Sequence, residues 1–352
     1  MNTDEKYMQH CIVLARKGAL YVSPNPMVGC IIVYNEEIIG EGYHERCGEA
    51  HAEVNAIRSV KDEQVLQKST LYVTLEPCAH HGKTPPCSDL IVQKKIPRVV
   101  IGTVDPFAKV AGKGIEKLKK NGIDVKVGVL ENDCLELNKR FFTFHNKKRP
   151  FIILKWAQTA DRFIDIDRDA ENYGEPTWIT GKDALLKVHH LRAGEDAILV
   201  GSRTAEKDNP SLTVRNVEGN NPLRIVFDRN LKLSPELKLF DNSTETLVIN
   251  AARNKKEGKT EWVKVDYTQN VLIQLLHILY KKEKLSLIVE GGQQLLQSFI
   301  DLDLWDEAHV YTGNKLFKSG VKAPKLTVSP VTNEVIGKDL LQVYKNQGVT
   351  LW

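Results

Sequence analysis

The sequence predicts an α/β protein of two domains, and three observations support that prediction. The chain has 352 residues, which at roughly 150 residues per domain suggests two domains. Short apolar segments with the period of strands alternate with segments of helical period, as is typical of βαβ units with a largely parallel, helix-covered sheet. All six cysteines lie in the first 134 residues, so the two halves differ in the chemistry available to them.

The first half is predicted to begin with a helix and a hairpin. Apolar residues between Met8 and Ala19 recur at the spacing of one helix face, and strands are predicted at Val28–Tyr34 and Glu37–Tyr43, around the turn Asn35-Glu36. The remaining elements alternate in type: helix His51–Val60, strand Thr70–Leu75, helix Pro86–Lys95, strand Arg98–Thr103, helix Gly114–Asn121 and strand Asp124–Val129.

The second half alternates in the same way and predicts a second α/β domain. Six strands and three helices are expected there: strands Phe151–Trp156, Ala197–Val200, Leu223–Phe227, Thr246–Ile249, Leu285–Val289 and Ala308–Tyr311, and helices Lys182–Leu191, Asn270–Lys281 and Gln293–Ile300. The basic stretch Asn146–Pro150 separates two apolar regions and is predicted to be the linker. We therefore expect domains at residues 1–145 and 146–352.

Composition and charge restrict the partners of the protein. Apolar residues make up 42% and charged residues 27%, as in ordinary globular proteins. Residues 1–145 carry a net charge of +1 and the remainder +3, so neither half has the basic arm that grips nucleic acid. The start of the chain is acidic where a secretory signal is basic, and no apolar run approaches the ~18 residues that span a bilayer. We expect a cytoplasmic protein that binds neither nucleic acid nor membrane.

One histidine and two cysteines occur at the spacing of a catalytic zinc site. His51-Ala52-Glu53 opens a predicted helix, Pro77-Cys78 comes 24 residues after Glu53, and Cys87 follows eight intervening residues later. Three protein ligands, His51, Cys78 and Cys87, leave a tetrahedral Zn²⁺ one open position for water. The pair Pro85-Pro86 is a helix-start signal, so Cys87 is predicted in a first helical turn, where the thiolate is favoured.

This arrangement predicts deamination of a nucleobase-like ring. Zinc lowers the pKa of a bound water from about 15.7 to near 7. Glu53, which lies two residues from a ligand without being one, is predicted to carry the proton to the ring and then to departing ammonia. The pattern H-A-E followed by P-C-x8-C is the nucleobase-deaminase signature apart from its second spacing. The alternative is a structural zinc, which requires a fourth ligand from four candidates: His44, Cys47, His80 and His81.

Three segments strongly resemble the deaminase domain of the bifunctional riboflavin-biosynthesis deaminase-reductases. They are Pro24–Cys30, Gly48–Glu53 and Glu76–Cys87, and the long loop between the two cysteines is the specific part. The resemblance implies a cytidine-deaminase-like α/β/α fold for the N-terminal domain. It also implies that Asn25 and Lys83 contact the aminopyrimidine substrate.

Without the family resemblance, the residues of the second half indicate less about function than the zinc-site pattern of the first half does. Glu290-Gly291-Gly292 follows an apolar run and precedes a predicted helix, where the backbone could approach a phosphate. A glycine turn without a ligand is an equally good interpretation. Trp178-Ile179-Thr180 is interpreted as a packed tryptophan beside an N-cap threonine.

Seven pieces of this half follow the reductase half of the same family in order: Lys155–Ala157, Asp161, Trp178–Thr180, Leu191–Ala193, Ala197–Gly201, Asp208–Arg215 and Val289–Gly292. That half is similar to dihydrofolate reductase in fold and uses NADPH. The resemblance implies that one set of residues contacts NADPH: Ala157, Trp178, Thr204, Asp208 and the stretch Gly292–Ser298. It implies that a second set contacts the ribose phosphate of the substrate: Arg192, Leu212, Arg215 and Glu290. Two arginines suit a phosphate monoester because each makes paired, charge-assisted hydrogen bonds.

The sequence departs from the family pattern at three positions. Arg162 follows Asp161 where the family usually has glycine, Thr159 replaces a serine, and Pro176 stands where a serine is usual. Because Pro176 has neither a hydroxyl nor an N–H group to offer a ligand, one substrate contact is predicted to be lost or replaced.

These observations predict a two-domain enzyme of riboflavin biosynthesis that uses Zn²⁺ and NADPH. Its first domain would deaminate 2,5-diamino-6-(ribosylamino)pyrimidin-4-one 5′-phosphate by zinc-hydroxide attack, and its second domain would reduce the ribosyl to the ribityl side chain. The expected partner is this small pyrimidine ribose-phosphate. The sequence does not decide whether the protein is a monomer or a homo-oligomer. Two alternatives remain: a nucleoside or tRNA deaminase fused to a nucleotide-binding domain, and a zinc-stabilised binding protein that holds a nucleotide without turnover.

Overall fold

The computed structural model describes residues 1–79, 85–107, 111–168, 173–174 and 176–346. The chain divides into two compact units, Met1–Lys147 and Lys148–Trp352, and each unit has its own sheet and its own hydrophobic core. Within the described ranges, no helix is both long enough and apolar enough to cross a membrane.

The first unit is built on one five-stranded sheet, with the strand order β2-β1-β3-β4-β5. The strands are β1 (Gly29–Tyr34), β2 (Glu37–Tyr43), β3 (Thr70–Leu75), β4 (Arg98–Thr103) and β5 (Asp124–Val127). The helices are α1 (Thr3–Arg16), α2 (Ala52–Ser59), α3 (Cys87–Gln93), α4 (Lys113–Lys120), α5 (Glu131–Leu137) and α6 (Lys139–Lys147), with a short 3-10 helix at Glu63–Lys68.

The sheet of the first unit is mixed, whereas the sequence predicts a largely parallel one. Strand β1 is antiparallel to both β2 and β3, and β3, β4 and β5 are parallel. The predicted hairpin accounts for the antiparallel pair of β1 and β2, because Asn35 and Glu36 have φ angles of 49° and 66°, the conformation of a tight turn between antiparallel strands. The antiparallel pair of β1 and β3 is not indicated by any local pattern, since β3 returns to the other side of β1 only after α2.

Alternate residues of the central strands face two different helical layers. Ile32, Val73 and Ile101 pack in one core with residues of α2, α3 and α4, while Ile31 and Val100 pack in a second core with α1 and α5. This alternation follows from the two-residue period of strands. The first unit is therefore an α/β/α sandwich.

Two helices of this unit, α5 and α6, are not predicted from the sequence. Helix α5 follows Leu130, which has a φ of 51° and makes no side-chain cap, so the usual start signal is missing. Helix α6 buries Phe141, Phe142 and Phe144, whose adjacent positions hide the helical period. Since α6 ends at Lys147, the first two residues of the predicted linker are helical.

The second unit contains a ten-stranded sheet, with the order β11-β12-β10-β9-β8-β13-β6-β14-β17-β16, and a two-stranded sheet of β15 and β7. Its strands are β6 (Phe151–Gln158), β7 (Phe163–Asp165), β8 (Ala197–Val200), β9 (Leu223–Phe227), β10 (Thr246–Asn250), β11 (Lys255–Glu257), β12 (Thr260–Lys264), β13 (Ser286–Val289), β14 (Glu307–Thr312), β15 (Val321–Lys322), β16 (Thr332–Ile336) and β17 (Asp339–Lys345). Its helices are α7 (Lys182–Ala193), α8 (Ser202–Asp208), α9 (Val271–Lys281) and α10 (Gln293–Asp301), and a short 3-10 helix spans Lys238–Phe240.

The centre of the large sheet is parallel, as predicted for this half. Seven adjacent strands from β12 to β14 run in one direction, and antiparallel pairs occur at the two edges. The carboxyl ends of β6, β8 and β13 therefore lie at one edge of the sheet. Ligands of open α/β sheets bind at such an edge, so a ligand site is expected there.

A buried ion pair fixes the start of β6. The Arg149 guanidinium donates to both carboxylate oxygens of Asp306, at 2.6 and 2.9 Å. The carboxylate is 3% exposed and also accepts a hydrogen bond from the backbone N–H of Ile152 at 2.8 Å. The pair therefore ties the first residues of the second unit to the entry of β14.

We predict that Arg149→Ala destabilises the second unit by about 3 kcal/mol, because removing one partner leaves a buried charge without compensation. All five tryptophans of the chain, Trp156, Trp178, Trp262, Trp305 and Trp352, belong to this unit, so tryptophan fluorescence during urea unfolding measures it selectively. Arg253→Ala, which changes an exposed arginine of the same unit, serves as the control. An Arg149→Ala midpoint equal to that control would show that the ion pair contributes nothing.

Candidate active sites

His51, Cys78 and Cys87 come together in the first unit. His51 is the N-cap of α2, Cys87 is the first residue of α3, and Cys78 lies in the loop after β3. The Nδ1 atom of His51 lies 3.6 Å from Sγ of Cys78 and 3.3 Å from Sγ of Cys87, and the three ligand atoms all lie within 4.8 Å of one another. Cys87 stands in a first helical turn, as the sequence predicts.

A buried carboxylate holds the loop that carries Cys78. Glu76 is 3% exposed and accepts hydrogen bonds from four backbone N–H groups at 2.9–3.3 Å, those of Asp105, Gly112, Gly114 and Ile115. A Cβ atom at position 114 would lie 2.0 Å from the carbonyl oxygen of Pro77, so glycine is required for this approach. The N-terminal end of α4 is thereby fastened to the residues directly before Cys78.

The donor set fits zinc. One imidazole nitrogen and two thiol sulfurs are the ligands that a catalytic zinc site uses. Hydrogen bonding to the Cys87 thiol and to His51 lowers the pKa of Cys78 to about 4, and the pKa of His51 is raised to about 9 by the hydrogen bond with Cys78. The contacts within the site thus favour the thiolate form of Cys78.

The candidates for a fourth zinc ligand do not join this group within the described residues. Both ring nitrogens of His44 already have partners, the carbonyl oxygen of Ala50 and the side chain of Asn25, each at 3.1 Å. Cys47 is exposed and stands outside the His51-Cys78-Cys87 group. His80 and His81 lie outside the described residues.

Glu53 lies in the first turn of α2, two residues after His51, and is 3% exposed. Burial raises the pKa of its carboxyl to about 7, although the neighbouring His51 charge lowers it. A buried carboxyl with this pKa can both accept and release a proton near neutral pH.

The loop that carries Asn25 is fixed from two sides. The Oδ1 atom of Asn138 accepts a hydrogen bond from the backbone N–H of Met27, and its Nδ2 donates to the carbonyl oxygen of Met27, both at 2.8 Å. The amide of Asn25 itself contacts Nε2 of His44 at 3.1 Å. The sequence does not reveal Asn138, because it lies 111 residues away from Met27. Lys83, the other predicted substrate contact in this unit, lies outside the described residues.

A cavity of about 780 Å³ lies in the second unit. Nine predicted reductase residues line it: Ala157, Trp178, Arg192, Thr204, Asp208, Leu212, Arg215, Glu290 and Gly292. Of the predicted stretch Gly292–Ser298, residues 292–296 line the cavity, whereas Gln297 and Ser298 do not. Residues directly after β8 and β13 take part, so the cavity lies at the carboxyl edge of the parallel strands, where α/β sheets bind ligands.

Glycines bring two loops of this cavity close together. A Cβ atom at Gly291 would lie 2.7 Å from the backbone nitrogen of Gly201. Gly292 caps α10, and its N–H donates to Oγ1 of Thr204 at 2.9 Å. Gly291 and Gly292, which have no side chains, thus bring the start of α10 to the lining of the cavity, and a helix start with glycines is suited to the phosphates of a dinucleotide such as NADPH.

Trp178 is 55% exposed, so its interpretation as a packed core residue is wrong. The N-cap of α7 is Gly181, whose N–H donates to Oδ2 of Asp339 at 2.7 Å, and Thr180 is not the cap. An exposed indole that lines a cavity offers a flat apolar surface to a ligand.

Asp208 is held by a cation that sequence reasoning missed. Nη2 of Arg168 forms ion pairs with Oδ1 of Asp208 at 2.9 Å and with Oδ1 of Asp165 at 2.8 Å. Its Nε donates a hydrogen bond to Asp165 at 2.9 Å, and the arginine side chain is 3% exposed. The hydroxyl of Thr177 also donates to Asp165, at 2.9 Å. Three residues that sequence reasoning left aside therefore fix one predicted cofactor contact.

Arg192 and Glu290 form a bidentate pair. Nε and Nη2 of Arg192 donate to the two carboxylate oxygens at 2.9 and 2.6 Å, and Nζ of Lys155 lies 3.8 Å from the same carboxylate. Burial alone would raise the pKa of Glu290, but the charges of Arg192 and Lys155 lower it to about 2. Burial lowers the pKa of Lys155. Lys155 also lines the cavity. It belongs to a segment that resembles the reductase family, but the sequence alone does not indicate its pairing with Glu290, because Glu290 is remote in the chain.

Arg215 lies in the loop after α8. Its guanidinium donates to the hydroxyls of Ser211 and Thr213, and its backbone N–H donates to Nδ1 of His189 at 3.2 Å. Leu212 has a φ of 53°, a conformation that bulky residues rarely adopt. The loop is thus held in one shape by several contacts.

The three departures from the family pattern have physical counterparts. Arg162 has a φ of 65°, the left-handed conformation for which glycine is suited. The Thr159 hydroxyl donates to Asp161 at 2.5 Å and accepts from the N–H of Phe163 at 2.9 Å, so a hydroxyl remains at that position. Pro176 lines the cavity without a donor to offer.

Comparisons with known proteins match both halves. The model of the cytidine and deoxycytidylate deaminase zinc-binding region matches residues 1–103, and the model of the RibD C-terminal domain matches residues 150–328. The riboflavin biosynthesis protein RibD of Aquifex aeolicus is 38% identical over 97% of this chain and 98% of its own length. RibD of Escherichia coli is 37% identical over 91% of this chain and 90% of its own length.

Solved structures agree with these relatives. The crystal structure of a diaminohydroxyphosphoribosylaminopyrimidine deaminase/5-amino-6-(5-phosphoribosylamino)uracil reductase from Thermotoga maritima is 38% identical, with a TM-score of 0.87 over 97% of this chain and 98% of that one. A structure of RibD from Acinetobacter baumannii is 31% identical, with a TM-score of 0.86 over the same shares. The chain therefore belongs to the RibD family, whose members join a zinc-binding deaminase domain to a reductase domain and carry out two reactions of riboflavin biosynthesis.

Proposed function

We propose that residues 1–145 form the deaminase and residues 146–352 the reductase. The substrate is 2,5-diamino-6-(ribosylamino)pyrimidin-4-one 5′-phosphate, which loses its amino group first and has its ribosyl side chain reduced second. The observation that supports this most directly is the group of three ligands, His51, Cys78 and Cys87, together with buried Glu53, which lies two residues after His51 in α2 and interacts electrostatically with His51 and Cys78. The compact units divide two residues after the proposed boundary.

In the deaminase, His51, Cys78 and Cys87 would hold the zinc, which would supply an activated water for attack on the ring carbon that bears the amino group. Glu53 would carry the proton, first to the ring nitrogen of the substrate and then to the leaving amino group, which departs as ammonia. Its buried carboxyl, with a pKa of about 7, can hold the proton between the two transfers. Asn25 and Lys83 orient the pyrimidine, and His44 holds the Asn25 amide in place.

In the reductase, NADPH supplies the hydride. Ala157, Trp178, Thr204, Asp208 and Gly292 bind the cofactor, while Arg192, Leu212, Arg215 and Glu290 bind the substrate. Hydride transfer forms the new C1′–H bond, and the bond from C1′ to the ring oxygen breaks, so that oxygen needs a proton. Within the buried charged group, Glu290 is ionised and Arg192 is committed to it, which leaves Lys155 as the proton donor.

We also propose that the enzyme works in the cytoplasm on this small molecule and binds neither nucleic acid nor membrane. The nearly balanced charge of both halves supports that view, because nucleic-acid binding needs clustered positive charge. A homo-oligomer is compatible with the proposal.

We predict that Glu53→Gln retains its zinc and loses deamination by at least about 10²-fold, because general acid–base groups contribute 10²–10⁴-fold. Zinc content is measured by elemental analysis and deamination by ammonia release. Glu45→Gln, which changes an exposed carboxylate of the same unit, is the control and should leave both quantities unchanged. Normal deamination by Glu53→Gln would refute its assignment.

We predict that Cys87→Ala loses the bound zinc and deamination together, because two ligands cannot hold the ion as three do. NADPH oxidation by the same protein should persist when the deaminated pyrimidine is supplied, since the reductase residues belong to the other unit. Cys47→Ala should retain the metal. Loss of zinc from Cys47→Ala instead would favour a structural site with a fourth cysteine ligand.

We predict that Arg215→Ala raises the reductase KM for the phosphorylated substrate about tenfold or more. A charge-assisted contact is worth roughly 1.5–3 kcal/mol, and about 1.4 kcal/mol corresponds to a factor of ten. The KM for the dephosphorylated substrate, deamination and NADPH binding should change little. Arg192→Ala also removes the partner of Glu290, so Arg215 gives the cleaner test. Equal losses on both substrates would mean that Arg215 is structural.

A further inference from the structure

The proposed substrate-phosphate site has one arginine that is committed elsewhere. A phosphate monoester carries a charge of about −1.5 to −2 near pH 7, so it needs more than one cation. Nε and Nη2 of Arg192 both donate to Glu290, and that carboxylate offsets its charge. Arg215 has hydroxyl partners in its own loop, Ser211 and Thr213, and keeps its charge for the ligand. The site is therefore short of one free cation.

Lys238 adjoins the same loop through a shared donor. Nη1 of Arg224 donates to the carbonyl oxygens of Ser211, at 3.3 Å, and of Lys238, at 2.9 Å. Ser211 is also the residue whose hydroxyl accepts from the Arg215 guanidinium. Nη1 of Arg224 thus links the main chain of Lys238 to that of Ser211, the residue that Arg215 contacts.

The main chain of Lys238 is fixed on its other side as well. Its N–H donates to Oδ1 of Asn209 at 2.8 Å, and Asn209 opens the loop that contains Ser211 and Arg215. Arg224 itself is fully buried and pairs with Asp241 at 3.0 Å. Hydrogen bonds from Arg224 and to Asn209 therefore fix the main chain of Lys238 relative to the loop.

Lys238 is exposed and is one of the residues that line the same cavity as Arg215. Its ammonium makes no hydrogen bond or ion pair with any residue in the described part of the chain. Lys232, six residues earlier, is also exposed but does not line the cavity. A lysine with a fixed main chain and no ion-pair partner, at the lining of a cavity, is suited to meet an anionic ligand.

We propose that Lys238 is the second free cation of the substrate-phosphate site and acts beside Arg215. This inference rests on the proposed reductase function and on the placement of the phosphate at the Asn209–Arg215 loop. Lysine binds phosphate as a point charge, so its long side chain can reach an oxygen without the fixed geometry that an arginine pair requires.

The test compares Lys238→Gln and Lys238→Arg with Lys232→Gln as the matched control. Lys238→Gln should raise the reductase KM for the phosphorylated substrate about tenfold and leave the KM for the dephosphorylated substrate, kcat and deamination unchanged. Lys238→Arg should recover most of the loss, and Lys232→Gln should behave as the parent. Calorimetric titration should show weaker binding of ribose 5-phosphate to Lys238→Gln and an unchanged Kd for NADPH.

The possible failures are distinguishable. A raised Kd for NADPH with an unchanged KM for the phosphorylated substrate would assign Lys238 to the cofactor and overturn the inference. Equal losses on both substrates would also overturn it, because the effect would then not depend on the phosphate. Arg215→Ala, measured alongside, separates the role of Lys238 from the placement of the phosphate. If Arg215→Ala shows a phosphate-specific loss and Lys238→Gln does not, only the role of Lys238 is refuted. If neither variant shows such a loss, the placement of the phosphate is refuted.

Discussion

A carboxylate buried at the carboxyl end of a parallel strand has to be compensated, and both sites of this chain are built on that requirement. Glu76 follows β3 and is satisfied by four backbone N–H groups. Glu290 follows β13 and is satisfied by Arg192 and Lys155. A buried charge without partners would cost several kcal/mol, so each carboxylate fixes the residues around it. In the first unit these include Cys78, and in the second they include Gly291-Gly292.

In the two units, the compensated carboxylate lies next to different functional groups. The first brings three side chains that can bind a metal within 4.8 Å of one another and buries Glu53, the proposed proton shuttle, two residues after one of them. The second lines a cavity of about 780 Å³ from several strand ends, and in the proposed function a dinucleotide and a sugar phosphate lie side by side there for hydride transfer. The order of the reactions does not depend on their sharing a site, since the product of the first unit is the substrate of the second.

Local patterns in the sequence predict the parts of these sites that depend on local spacing. The spacing of His51, Cys78 and Cys87 predicts a group that the folded chain does bring together, and the role of Glu53 stays a prediction from its position two residues after His51. Lys155, Arg168 and Asn138 are not found, because each acts through partners that only the folded chain brings near, such as Met27 at a separation of 111 residues. The mixed sheet of the first unit is missed for the same reason, since the pairing of β1 with β3 is set by topology. The resemblance to a known family supplies the cavity residues that spacing alone does not reveal.

The most direct test of a two-site enzyme follows ammonia release and nicotinamide absorbance together in one reaction. With the diaminopyrimidine substrate, the account predicts that ammonia appears without NADPH, and that NADPH oxidation begins after a lag. Protein stripped of zinc by a chelator should do neither, yet should oxidise NADPH at once when it receives the deaminated pyrimidine. Immediate NADPH oxidation on the diaminopyrimidine by the zinc-free protein, with no ammonia released, would contradict the account.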